Sequence, residues 1–117
     1  MYIEIHKTVI VLKRKNPNKV HIIGSVGSGK TTLARTLSSK LNIPYYELDN
    51  VVWRRSENGD IRSTPEERDE QLHYIVGSNA WIVEGAHHTW VARIFQYTDI
   101  IIYTFEYLTQ RIFCIYY

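Results

Sequence analysis

Apolar residues along this chain fall into short blocks separated by polar stretches. The two periods of regular structure, two for strands and about 3.6 for helices, sort those blocks into elements. Residues 2–12 are rich in β-branched and aromatic types (Tyr2, Ile3, Ile5, Thr8, Val9, Ile10, Val11) and predict a strand. The run from Lys13 to Lys19 reads as a solvated hairpin turn whose lysines guard an edge strand. Val20-His21-Ile22-Ile23 is a shorter apolar block that runs into a glycine-rich stretch, Gly24 to Gly29. Beyond it Leu33, Ala34, Leu37 and Leu41 recur at helical spacing, and Asn42-Ile43-Pro44 closes that helix. Pro44 to Asp49 predicts a second buried strand with Asp49 at its carboxyl end, and residues 53–62 a polar connection turned at Asn58-Gly59. Thr64-Pro65-Glu66-Glu67 is a helix start, with Thr64 as N-cap, Pro65 in the first position and Glu67 completing a capping box. That helix turns Leu72, Ile75 and Val76 inward and ends near Gly77. Ala80 to Gly85 is a third strand, Val91 to Phe95 a short helical piece, Asp99 to Phe105 a fourth strand, and Tyr107 to Tyr117 a further helix. Strands alternating with helices predict an α/β protein in three layers, with a mostly parallel sheet covered on both faces.

Chemistry enters at the glycine-rich stretch. Gly24-Ser25-Val26-Gly27-Ser28-Gly29-Lys30-Thr31 fits the phosphate-loop pattern G-x-x-x-x-G-K-[ST] at every fixed position, between a strand and a helix as that pattern requires. The glycines let backbone N–H groups approach phosphate oxygens, Lys30 reaches the β- and γ-phosphates, and the Thr31 hydroxyl is suited to Mg²⁺. The helix beginning here, with Thr32 in its first turn, points its positive end at the same anion. ATP and Mg²⁺ are therefore the expected cofactors, and the P-loop NTPase fold is the expected form of the α/β layers. Two carboxylates are expected nearby, because ligands in open α/β sheets lie beyond the carboxyl ends of the strands. Asp49 is placed to orient or deprotonate an acceptor hydroxyl, and Glu84 to hold the metal through water. Arg54, Arg55 and Arg62 are candidates to clamp an anionic acceptor, or else solvated loop charges. The adjacent His87 and His88 point to different faces, which argues against a metal site.

Composition narrows the class. The chain has 117 residues, 44% hydrophobic and 22% charged, with a net charge of +2, ordinary values for a soluble globular domain. So small a charge makes no case for a nucleic-acid partner. A single cysteine, Cys114, allows no internal disulfide and suits a reducing cytoplasm. No apolar run approaches the roughly 18 residues of a membrane span. Residues 1–19 are expected to form an N-terminal β arm and basic turn, and residues 20–117 the nucleotide-binding domain. The closing stretch Arg111 to Tyr117 is apolar and aromatic without a capping glycine, so the domain reads as cut short, without a lid or last strand. An unpaired N-terminal strand and an apolar C-terminus would favour self-association.

Taken together, three motifs resemble one family: Gly24 to Arg35, Ile43-Pro44-Tyr45-Tyr46-Glu47-Leu48-Asp49, and Trp81-Ile82-Val83-Glu84-Gly85. They look like the adenylate-kinase-like small-molecule kinases, and more closely the bacterial DNA topology modulation proteins among them. The resemblance covers about residues 20 to 111. It implies that Lys30 and Thr31 serve the phosphates and metal, that Glu84 stands where adenylate kinases carry a metal-associated Asp, and that Arg111 lies near the nucleotide. Ala86-His87-His88 replaces the Phe-Pro-Arg of adenylate kinases, which speaks against AMP as acceptor. The expected function is transfer of the γ-phosphoryl of ATP to a small-molecule or nucleotide acceptor. The alternative is a nucleotide-dependent regulatory or DNA topology-associated protein without kinase activity, supported by Lys13, Arg14 and Lys15. A relic that retains only its nucleotide site is the third.

Overall fold

The computed structural model describes residues 2–5, 8–13, 17–24, 29–85 and 92–104. A six-stranded sheet runs through the centre in the order β1-β2-β8-β3-β7-β4. Its parallel core comprises β3 (Lys19–Gly24), β4 (Tyr45–Glu47), β7 (Trp81–Glu84) and β8 (Ile100–Thr104). Strands β1 (Tyr2–Ile5) and β2 (Thr8–Leu12) extend it on one side in antiparallel pairing.

Two apolar clusters make this a three-layer structure. On one face α1 (Lys30–Leu41) packs Leu33, Ala34 and Leu37 against Val20, Ile22, Ile82 and Ile102. On the other, Leu48, Val51, Leu72, Ile75, Val76 and Ile94 pack against Trp81 and Val83. These come from α2 (Leu48–Val52), α3 (Pro65–Val76) and α4 (Ala92–Tyr97). In β7, Trp81 and Val83 therefore face one layer and Ile82 the other, as a period of two dictates. All four β7 residues are buried, which is why that strand carries no polar alternation.

The helix boundaries follow the expected signals. Asn42 takes a left-handed conformation (φ 55°) after α1 and returns its N–H to the Ser38 carbonyl. Thr64 and Glu67 form the reciprocal capping box at the start of α3.

Three local expectations need correction. Residues 2–12 form two strands rather than one, and neither is unpaired: β1 pairs with β2, and β2 pairs with β8. The segment after β2 is not a hairpin turn, because β8 lies between β2 and β3, so the chain crosses the end of β8. The Asp99 carboxylate accepts from the Asn18 and Lys19 N–H groups, each at 3.2 Å, and Lys13 N donates to the Asp99 carbonyl at 2.8 Å. The Lys13 ammonium is turned inward and donates to the Phe95 carbonyl at 2.7 Å, while Arg14, Lys15 and Asn16 lie outside the described residues. Finally, the 53–62 connection contains a two-stranded ribbon, β5 (Trp53–Arg54) with β6 (Ile61–Arg62), whose turn places Gly59 at φ 111°.

Candidate functional site

The site lies where β3 gives way to α1. Strand β3 ends at Gly24, and α1 begins at Lys30 immediately after Gly29, which sits at φ 86° and ψ 13°. That left-handed backbone is the conformation glycine adopts without strain, and the Gly29 carbonyl accepts the first helical bond, from Leu33 N–H at 3.0 Å. Ser25, Val26, Gly27 and Ser28 lie outside the described residues, as do His87, His88 and Arg111. Lys30 and Thr31 are half-buried in the first turn, whereas Thr32 is exposed.

Thr31 Oγ1 donates a short hydrogen bond to the Glu84 carboxylate. Glu84 ends β7 directly beside β3, in register with Ile22, and is 5% exposed. A carboxylate so buried needs a strong partner, and it finds one on the first turn of the phosphate-loop helix. The next residue, Gly85, is at φ 138°, and a Cβ there would stand 2.8 Å from the Leu48 Cβ. The close approach of β7 to α2 therefore depends on glycine at this position.

A hydroxyl and a carboxylate, side by side at a helix N-terminus, are hard oxygen donors of the kind that suit Mg²⁺. Among the described residues no cluster of three His, Cys, Asp or Glu side chains forms a metal cage. Two protein oxygens of this kind would leave the other positions of such a cation to water or to a ligand's oxygens. Gly29, the helix N-terminus and Lys30 beside this pair have the positive character that suits an anionic group such as a phosphate.

Asp49 is not at a strand end. Strand β4 stops at Glu47, and Asp49 belongs to the first turn of α2, where it is exposed. The strand is only three residues long, and Leu48 leaves it to enter the core on the α3 side. Of the two readings for Arg54, Arg55 and Arg62, the structure shows exposed loop charges and no convergent clamp. Arg54 pairs with Glu67 at 3.6 Å, Arg55 pairs with Asp60 and donates to Asn50 Oδ1 at 3.2 Å, and Arg62 lies 5.9 Å over the Trp53 ring.

Two features of the site escaped sequence reasoning. His21, in the middle of β3, is fully buried, with its ring 5.1 Å from that of Phe95. Burial pushes its pKa down to about 4, partly opposed by the bond to the Gly85 carbonyl. Since that carbonyl only accepts, His21 Nε2 is the protonated nitrogen and donates across 3.2 Å. A lone histidine inside an apolar block is the one signal that marked it. The second feature is a groove of about 610 Å³ along β4, walled by α2 and α3. Its residues are distributed over three elements, so no local motif announces it.

The geometry invites comparison with known proteins. The family model for shikimate kinase matches residues 26–73. The uncharacterized protein YqaC of Bacillus subtilis (strain 168) is 29% identical over 84 residues, covering 72% of this chain and 47% of that protein. A shikimate kinase of Paracidovorax citrulli (strain AAC00-1) is 42% identical over 43 residues, covering 37% of this chain and 23% of that enzyme. The crystal structure of a gluconokinase from Sinorhizobium meliloti 1021 is similar with a TM-score of 0.43 and 20% identity, covering 72% of this chain and 53% of that one. The chain thus spans less than half the length of the curated relatives it matches. Among the described residues no helix is long and apolar enough to cross a membrane. The shikimate kinase likeness begins inside the phosphate loop and runs through α1, β4, α2 and into α3, so what this chain shares with P-loop kinases is a kinase-like nucleotide-binding region.

Proposed function

We propose that this chain binds ATP with Mg²⁺ and transfers the γ-phosphoryl group to the hydroxyl of a small acceptor. The observation that carries the proposal is the Thr31–Glu84 pair, set against Lys30 on the first turn after Gly29. Bound Mg²⁺ would supply charge neutralisation for the transferring phosphoryl group. Thr31 and Glu84 would hold it, Glu84 directly or through water. The Lys30 ammonium would bind β- and γ-phosphate oxygens, assisted by backbone N–H groups of residues 24–32 and the helix N-terminus. Asp49 would accept the proton of the acceptor hydroxyl as its oxygen forms the bond to the γ-phosphorus and the bond to the bridging β–γ oxygen breaks. ADP is then the leaving product. Arg111, on the family resemblance, would contribute at the nucleotide end.

The kinase likenesses favour this reading over a regulatory or DNA topology-associated role without phosphoryl transfer. Within the P-loop kinases, the motifs at Gly24 to Arg35, Ile43 to Asp49 and Trp81 to Gly85 support a place near the DNA topology modulation branch. A cytoplasmic location belongs to the same reading, since ATP and a reducing environment for Cys114 are found there.

A thermal melt of the purified chain with and without ATP·Mg²⁺ tests the assignment. At a hundredfold excess over Kd, binding to the native state alone contributes about 2.7 kcal/mol, or roughly 8–12 °C in Tm for a chain of this size. The Lys30→Ala variant should lose that rise. A wild-type chain with no response, or a variant with an undiminished one, rejects the site.

A further inference from the structure

We infer that the groove along β4 receives an acceptor bearing a protonated amine and a flat apolar face, and that it discriminates against carboxylic acids. The use of the groove as an acceptor site rests on the kinase reading. The charge preference does not, because it follows from the groove's own lining.

Two carboxylates edge the groove, Glu47 at the end of β4 and Glu70 on α3, and no lysine or arginine is among its described lining residues. Two guanidinium groups touch this lining and each already has a carboxylate partner: Arg35 donates to the Tyr45 hydroxyl at 3.0 Å and approaches Glu47 at 3.9 Å, and Arg55 donates to Asn50 and pairs with Asp60. Their side chains are 66% and 55% exposed, so solvent screens most of their effect. An incoming carboxylate would meet two like charges, with both neighbouring guanidinium groups already paired to Glu47 and Asp60. An ammonium group would meet two partners. The rings of Tyr46 and Tyr74 add faces that attract a cation and pack against a ring, and Val51 and Ile75 supply apolar wall. Asn50 already accepts from Arg55 through Oδ1, which leaves its amide N–H groups to donate to an acceptor hydroxyl. A volume of about 610 Å³ suits a small molecule.

Position links the groove to the phosphates. Glu47 is in register with Glu84 on the adjacent strand, so the backbone at that end of the groove is one strand spacing, about 4.8 Å, from the backbone that carries Glu84.

Three matched phenols test the preference on the full chain: tyramine, the neutral tyrosol and the anionic 4-hydroxyphenylacetate. Backbone amide shifts on titration should locate tyramine at residues 45–51 and 70–75 and give it an affinity about five- to tenfold above that of tyrosol, with the acid weakest. Glu70 is exposed, so Glu70→Gln should leave the fold intact while lowering tyramine affinity about threefold and leaving tyrosol unchanged. Binding of 4-hydroxyphenylacetate as tight as tyramine, absence of all three from the groove, or an unaltered tyramine affinity in Glu70→Gln would each overturn the inference. The ATP·Mg²⁺ melt of the same samples separates the two readings. A cation preference without a nucleotide response removes the kinase proposal alone, and a nucleotide response without the preference removes this inference alone.

Discussion

At the scale of single residues, the centre of the sheet carries a titratable group that has to remain neutral. His21 would have a pKa near 6.5 in an unfolded chain and is held at about 4 in the fold. Between those values the unfolded chain binds the extra proton, so stability is fully present above about pH 6.5 and is lost as pH falls toward 4. The whole effect amounts to about 3 kcal/mol. In urea titrations His21→Gln, which can still donate to the Gly85 carbonyl without titrating, should be much less sensitive over that window than wild type. If both lose stability equally, acid sensitivity lies in the carboxylates instead. Next to it, Gly85→Ala combines a φ of 138° with a 2.8 Å approach to Leu48, and should cost about 3 kcal/mol in the same assay. Glu84→Gln should behave oppositely in the unliganded protein. It removes a buried charge while keeping a partner for Thr31, so the melt should hold or rise slightly while the response to ATP·Mg²⁺ weakens about tenfold or more.

At the scale of elements, what the sequence made legible was whatever depends on near neighbours. The phosphate-loop pattern marked the strand–loop–helix passage to within a residue of Lys30, because Gly29 needs its left-handed backbone and the apolar positions after it repeat at helical spacing. Thr64, Pro65 and Glu67 announced α3 for a similar local reason, and Thr64→Ala should cost the protein about 1 kcal/mol in urea. Glu84 was legible as a carboxylate ending a wholly apolar strand. Asp49 was misplaced because β4 lasts only three residues before Leu48 turns into the core, a tertiary demand that no periodicity over six residues can express. For Arg54, Arg55 and Arg62 the sequence left a clamp and solvated loop charges both open, and what decides between them is again tertiary. Their partners Glu67, Asp60 and Trp53 are brought to them by the β5–β6 ribbon and the cap of α3.

At the scale of the molecule, the hidden information was which strand neighbours which. The sequence shows that residues 2–12 favour extended structure, yet their partner β8 begins about ninety residues later, and only the assembled sheet reveals that β2 covers the outer edge of β8. That edge is Ile100-Ile101-Ile102-Tyr103-Thr104, a short, uncharged, β-branched strand whose unpaired backbone would template association with another chain. The hairpin therefore acts as part of the sheet that carries the proposed nucleotide site, since β8 lies on one side of β3 and β7 on the other. Asp99 ties the two together at the crossing, where it holds the N–H groups of Asn18 and Lys19. Ile10→Pro removes a backbone donor from a strand paired on both sides, in register with Ile102. It should lower Tm by at least 10 °C, given a cost of about 3 kcal/mol or more, and light scattering should then rise with protein concentration at temperatures where the wild type stays clear. A variant that melts lower without scattering would mean that β8 is protected by something other than β2. One that melts like wild type would mean that the hairpin contributes nothing to the sheet, and the edge of β8 would have to be stable in water by itself.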